Sequence, residues 1–451
     1  DNFIYEMQGD EVWDSLIIQN TGKVTHSVGA LTDSGADGVV LNATSIHVKS
    51  GASIDVSGKG ALPNAEVSTS GSGSHGGAAG TVAERTTNPL YGSLHEPQAF
   101  GIGGRNDSSP DGDEKNRRGG GAIKIIADTL TVDGTIAADG LDRSSGIDGA
   151  GAGGSIWLNV GLLRTTSASF NYRVHANGGN GYHSTSAGAG GGRIAIYYDT
   201  LETFAMGGYV IAQGGNGLQY GAPGSVFSQN KQTGAQELRF ASRHDPEKVA
   251  TFDITGNYRD YDLLIIGVNV DAHDASFGSA YFGSSNYATN VNLSNISVDS
   301  LAIDTIGRIT STGLVSIAVN FNFDRALVPS MKNWSLPAGK TLVVDNFTYE
   351  MQGDETWDSV TVQNAGKITH AIGATTNTGA EGVVLTAQTI VVKAGASIDV
   401  TGKGHWPNED VTNGGAGSHG GAAAYYEGRT SNLVYGDYKE PTHYGVGGRY
   451  L

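Results

Sequence analysis

The chain has 451 residues, 69 of them glycine, no cysteine and a formal net charge of −17. That balance excludes a disulfide-stapled domain and argues against nucleic acid, whose phosphates demand clustered Lys and Arg. No apolar run is long enough to span a membrane, and the glycines follow no triplet, so a transmembrane helix and a collagen rod are excluded too.

Val, Ile, Thr and Tyr are plentiful, which favours strands. In chain order, residues 1–35 read as leading β segments. The stretch "VVLNATSIHVKSGASIDVSG" reads as strands at 39–42, 45–48 and 53–56. Ile54 and Val56 would face inward, Asp55 and Ser57 outward, and Gly58 and Gly60 would make the turn. The glycine-rich "STSGSGSHGGAAG" would leave the strand path, cover a face and return. His75 within it reads as a turn or loop anchor. A catalytic pairing with Ser74 would need an orienting acid and an oxyanion hole, and neither is visible. Arg85, Glu96 and Arg105 read as loop-pinning hydrogen bonders or ion-pair partners.

The loop "NDSSPDGDEKN" (106–116) carries Asp107, Asp111, Asp113 and Glu114, hard oxygen donors of the kind Ca²⁺ takes. It matches neither an EF-hand nor a calcium β-roll repeat. No other cofactor is implied. "GIGGRN" and "GGNG" lack the strand–turn–helix context of a dinucleotide site.

"AIKIIADTLTVDGTIAADG" reads as strands at 123–127, 129–133 and 135–138. Glycine-rich approaches then lead into strands four times, aligning Ile123, Ile156, Ile194 and Val226. A second series runs between them: "IDVSG" (54–58), "IAADG" (136–140), "VHANG" (174–178) and "VIAQG" (210–214). In "RIAIYY" the buried pair would be Ile194 and Ile196, with Arg193, Ala195 and Tyr197 pointing out. Short helical turns are expected at 244–250 and 325–334. Residues 231–344 are β-rich without the glycine cadence, and read either as further coils or, at about 240–345, as a β-sandwich. Asp260, Asp262, Asp271 and Asp274 form an acidic stretch. A glycosidase pair needs a set separation that sequence cannot show, and a solvated acidic face is the plainer reading.

The largest repeat comes last. Residues 345–451 lie on 1–107 without a gap, roughly 60% identical, so both build the same unit. "GASIDVSGKG" at 51–60 returns as "GASIDVTGKG" at 395–404. The anchors return as Gly402, Gly404, His419, Arg429, Glu440 and Arg449. One unit thus spans 1–344, with 36–230 its glycine-rich part, and the next starts at 345. The absence of an initiator Met or signal peptide suggests a window cut from a longer tandem array. Sequons stand at Asn42, Asn106, Asn292, Asn295, Asn333 and Asn346.

The expected fold is all-β: a right-handed parallel β-helix with glycine-rich loop excursions. "GASIDVSGKG", "GSGSHGG", "GGGAIKI" and "GAGGGRIAIYY" together resemble glycine-rich β-solenoid tandem-repeat surface, adhesin and fibre proteins of prokaryotes. The resemblance implies an extracellular, multi-repeat, structural or adhesive role. No catalysis is expected, and the expected partners are copies of itself, end to end, since a unit stacked on each end satisfies open strand edges. Two alternatives stand beside it. One is a carbohydrate-binding surface module using exposed Trp157, Tyr197 and Tyr198. The other is a β-helix polysaccharide lyase or hydrolase.

Overall fold

The structure is a computed structural model. It describes all residues except 28–37, 83–84, 107–116, 144–147, 167–172, 182–184, 245–248, 250, 284–288, 305, 312–314, 325–333, 336–340, 347, 352–353, 371–382, 408–409, 413–415, 420–421, 424–427, 436–438, 440–443 and 449–451. The chain divides into two compact units: Asp1–Val291 with Thr305–Gly307, and Asn292–Asp304 with Arg308–Leu451. It is nearly all β, with parallel sheets.

In the first unit the chain alternates between two parallel sheets. The short strands β1 (Ile4–Met7), β3 (Lys23–His26), β5 (Ser53–Asp55), β7 (Thr135–Ala137), β9 (Val174–His175) and β11 (Val210–Ile211) form one sheet in that order. The longer β2 (Glu11–Ile18), β4 (Val39–Val48), β6 (Ala122–Val132), β8 (Ser155–Arg164), β10 (Arg193–Glu202) and β12 (Ser225–Asn230) stand side by side in the other. One helical turn, α1 (Met206–Tyr209), precedes β11.

Like residues stack because the ladders hold them in register. Ile123 pairs with Ile156, Ile156 with Ile194, and Ile194 with Val226. The short strands add Ile54, Ile136, Val174 and Val210. Both columns belong to one buried cluster. Each fully buried Ile contributes about 2 kcal/mol relative to exposure.

Two expectations are corrected here. The breaks read at 43–44 and at 128 lie inside continuous strands, β4 and β6. The ladders skip one residue per strand, at Asp14, Thr44, Asp128, Gly161 and Asp199, and the skips stack on one another. A skip interrupts the alternation without ending the strand. Second, Arg193 and Ala195 do not face solvent; both are buried. Residues 91–100 cross the outer face of this sheet and fasten to it. Arg193 Nε donates to the Tyr91 carbonyl at 2.7 Å, Ser155 Oγ to that of Ala99 at 2.6 Å, and Tyr197 Oη to that of His95 at 3.0 Å.

The glycine-rich segments are not loose excursions. They pack against one another without forming regular strands, joined main chain to main chain. Gly60 N donates to Gly119 O at 2.8 Å, Gly101 N to Gly120 O at 2.9 Å, Gly153 N to Gly190 O at 3.0 Å, and Gly190 N to Gly73 O at 3.0 Å. A methyl group on Gly190 would overlap the Gly77 carbonyl, and one on Gly153 that of Ala176. Close approach therefore dictates glycine here. Positive φ does so at Gly58 (+66°) and its copy Gly402 (+71°).

Past β12 the chain turns on Asn230, whose Oδ1 accepts from the Gln232 and Thr233 amides at 2.9 Å. The next strand, β13 (Gln236–Ala241), pairs antiparallel with β12. Parallel pairing resumes with β14 (Phe252–Ile266) and β15 (Asn269–Gly283). The helical turns expected at 244–250 and 325–334 fall largely outside the described residues.

The chain passes between units within β16 (Thr289–Asp304) and β17 (Ile306–Ser311). In the second unit β16 pairs in parallel with β18 (Val315–Asp324), and β18 with β19 (Trp334–Ser335). Two small parallel sheets follow: β20 (Thr341–Asp345), β22 (Glu355–Gln363) and β24 (Leu385–Val392), then β21 (Thr348–Met351), β23 (Lys367–His370) and β25 (Ser397–Ile398). Ile4 pairs with Lys23, and Thr348 with Lys367; Glu11 pairs with Leu41, and Glu355 with Leu385. The repeat thus reproduces its pairing register as well as its sequence.

Candidate functional site

Four successive turns place a polar residue just before a glycine: Ser57, Asp139, Asn177 and Gln213. Each of the first three side-chain oxygens accepts the backbone N–H of the next. Ser57 Oγ accepts from Asp139 N at 3.0 Å, Asp139 Oδ1 from Asn177 N at 2.6 Å, and Asn177 Oδ1 from Gln213 N at 2.9 Å. A second ladder runs beside it: Asp142 Oδ1 accepts from Asn180 N at 2.7 Å, and Asn180 Oδ1 from Asn216 N at 2.9 Å.

The ladders line a groove of about 680 Å³, completed by Arg117, Arg143 and His244. His244 Nε2 donates to the Gly214 carbonyl at 2.9 Å, and burial holds its imidazole below its ordinary pKa. His175 meets Asp139 at 2.9 Å; burial opposes its protonation, but the Asp139 carboxylate outweighs burial and raises it. The wall carries carboxylates, carboxamides and guanidinium groups, the donor and acceptor set that hydroxyl-rich ligands use. The sequence showed the recurring residue before glycine. Its role as an acceptor for the next turn depends on stacking that sequence does not display.

The residues singled out from sequence are spread over the two units. His75 is fully buried, its Nδ1–H donating to Gly153 O at 2.8 Å, and its ring lies tilted against that of Tyr91. Ser74 turns to other partners: its Oγ meets Thr87 Oγ1 at 2.6 Å and accepts from Ala79 N at 2.8 Å. Arg85 donates to the Thr185 carbonyl at 2.8 Å, and Arg105 to that of Asn64 at 2.5 Å. The Glu96 amide donates to Ser93 Oγ at 3.0 Å. Gly404 adjoins His405, whose amide donates to Gly445 O at 2.9 Å, and the His419 ring meets that of Tyr435 at a tilt. Arg429 is half-buried. Glu440, Arg449 and the calcium candidates Asp107, Asp111, Asp113 and Glu114 lie outside the described residues. Among the described residues no three His, Asp or Glu side chains group as metal ligands.

Of the sequons, Asn106 is buried and donates Nδ2 to Asp148 Oδ1 at 2.6 Å, so its amide nitrogen is already engaged. Asn42 and Asn292 are half-buried, Asn295 and Asn346 are exposed, and Asn333 lies outside the described residues. The aromatic row does not stand free. Trp157 is 8% exposed, under the Lys124 ammonium at 3.3 Å, and Tyr197 is tied to His95. In the acidic stretch Asp262 pairs across from Glu237 and Asp271 from Asp253. Burial, then the Asp262 charge, raises the Glu237 carboxyl, with Arg239 opposing.

No protein-family model, curated protein or solved structure matches the chain.

Proposed function

We propose that the chain is a stretch of a tandem-repeat, right-handed parallel β-helix whose units build an extracellular fibre, filament or long adhesin. The observation that carries this reading is the return of one pairing register after 344 positions, Ile4–Lys23 as Thr348–Lys367 and Val24–Ile54 as Ile368–Ile398. A unit that rebuilds the same two sheets in phase is suited to stacking, because each unit covers strand edges the previous one leaves open. Right-handed crossing between parallel strands is the general rule. The acidic charge, the lack of cysteine and the buried, side-chain-free glycine contacts suit a scaffold. Electron microscopy of the native material tests it: rods support the reading, and monomeric globules sink it.

A second reading, a carbohydrate-binding surface module, is favoured by the polar groove between Asp139 and Asn216. The two readings are compatible in a surface fibre that also adheres.

A further inference from the structure

The glycine seam dictates the residue that follows several rungs of the two polar ladders. A methyl group on Gly178 would overlap the Ala189 carbonyl, one on Gly181 that of Ala187, and one on Gly217 the Ser186 carbonyl and the Gly188 nitrogen. The rungs before these glycines are asparagine, so packing writes Asn177–Gly178, Asn180–Gly181 and Asn216–Gly217 into adjoining turns. Another such pair, Asn413–Gly414, lies outside the described residues. The dipeptide is reactive. With no side chain on the second residue, its amide nitrogen can reach the asparagine Cγ and close a five-membered ring.

The three pairs differ in how they are held. Asn177 Oδ1 accepts from Gln213 N at 2.9 Å, and Gly178 N donates to Gln213 O at 2.8 Å. Asn180 Oδ1 accepts from Asn216 N at 2.9 Å, and Gly181 N donates to Asn216 O at 2.7 Å. In both pairs the two reacting groups are tied to the next turn. At the third pair neither the Asn216 side chain nor the Gly217 N–H has a hydrogen-bond partner among the described residues. Asn216 is half-buried and lines the polar groove, so water reaches it. The other ladder ends on Gln213, whose longer side chain would need a six-membered ring and whose Nε2 meets His244 Nε2 at 2.7 Å.

We propose that Asn216 is a self-modifying site, converting to aspartate or isoaspartate in the folded chain, and that its conversion releases Asn180 to follow. Gly217 N gives its proton to hydroxide and attacks Asn216 Cγ. The carboxamide C–N bond breaks, and ammonia leaves with a proton taken from water. A water molecule then opens the succinimide at either carbonyl. The sum is asparagine plus water giving aspartate or isoaspartate plus ammonia, with no oxidant or reductant. Opening to isoaspartate lengthens the main chain by one carbon and turns the carbonyl that holds Gly181 N into a side-chain carboxylate. The turn that ties Asn180 is thereby displaced, and both of its reacting groups come free. Asn177 has no such successor, because Gln213 holds it. Each conversion adds a negative charge to a groove wall that already carries Asp139 and Asp142.

Peptide mapping by mass spectrometry tests this, on the chain kept folded and on the chain unfolded in guanidinium chloride, both in mildly alkaline buffer. Each site is read by the mass gained when its amide becomes an acid. Unfolded, the three sites should react at similar rates. Folded, Asn216 should react first, and Asn177 about thirty-fold more slowly, the factor for breaking two hydrogen bonds of ordinary strength. Asn180 should show a lag, its conversion rising only as that of Asn216 accumulates, and Asn216→Gln should leave Asn180 intact. Should that variant fail to fold, the order of conversion in the wild type decides alone. Asn177 reacting as fast as Asn216 in the folded chain, Asn216 resisting as Asn177 does, or Asn180 converting in folded Asn216→Gln overturns the proposal.

Discussion

The rings of His75 and Tyr91 meet at a tilt with centroids 4.6 Å apart, and His419 and Tyr435 repeat the contact at 4.7 Å. In the first unit His75 Nδ1 is bonded to Gly153, and Nε2 has no hydrogen-bond partner among the described residues. Burial, and then the Arg193 charge, pushes this imidazole down to about 3. Unfolded, it would titrate near 6.5. Between the two values the unfolded chain binds a proton that the folded chain refuses. The stabilisation is therefore complete above about pH 6.5 and is lost as pH falls toward 3, by at most about 1.4 kcal/mol per pH unit. Urea midpoints at pH 7 and pH 4.5 should fall further apart in the wild type than in His75→Phe. Equal slopes would show that this histidine is not the acid-sensitive group.

Gly190→Ala and Gly153→Ala should each destabilise by about 1–3 kcal/mol or more, since backbone carbonyls occupy the space a methyl needs. Gly9→Ala, with nothing within 4 Å of the added carbon, should stay within about 0.5 kcal/mol of wild type. Chemical denaturation of the three variants checks the contrast. Equal losses would mean that chain entropy, and not close packing, sets the glycine content.

Asp133 gathers His47 at 2.9 Å, the Thr165 hydroxyl at 2.9 Å, and the amide and hydroxyl of Thr166 at 2.7 and 2.8 Å. Burial opposes its ionisation, but these donors outweigh burial and hold the carboxyl well below the usual range. Asp133→Ala should cost about 2–3 kcal/mol at pH 7. A carboxylate with a depressed folded pKa stabilises above its unfolded value, about 3.9, and loses that contribution as pH falls through the folded one. The gap between wild type and variant should narrow below about pH 4. A constant gap would show that the site acts by packing alone.

The polar groove makes a prediction of its own. On an immobilised array of neutral and acidic oligosaccharides, the chain should retain at least one class. Asn216→Ala should weaken that binding about ten-fold without changing the thermal midpoint. A blank array would remove the second reading and leave the structural one untouched.

The inward columns were legible because burial on one face imposes alternation, and Ile123, Ile156 and Ile194 follow it. Alternation does not say what lies on the other face. Arg193 and Ala195 read as outward and are outward, but they meet the segment 91–100 rather than water. That segment comes from about a hundred residues earlier, beyond the reach of any local pattern. The skips at Asp128 and its stacked neighbours disturb the alternation and so read as strand ends. Glycine content was plain, while its cause was divided: Gly58 serves a turn, Gly153 and Gly190 a close approach set by distant partners.

The glycine segments lead directly into β6, β8, β10 and β12. Where they meet, nothing separates one backbone from the next, so the gap is set by the peptide group itself. The seam works as a ruler whose graduations do not depend on side-chain size. The strands that follow inherit its pitch, whatever residues their outer columns carry. Positions along the chain therefore divide into those that measure and those that can be written on. Ser57 and its counterpart Thr401 stand on the edge between the two: one methyl apart, placed just before a glycine that admits none.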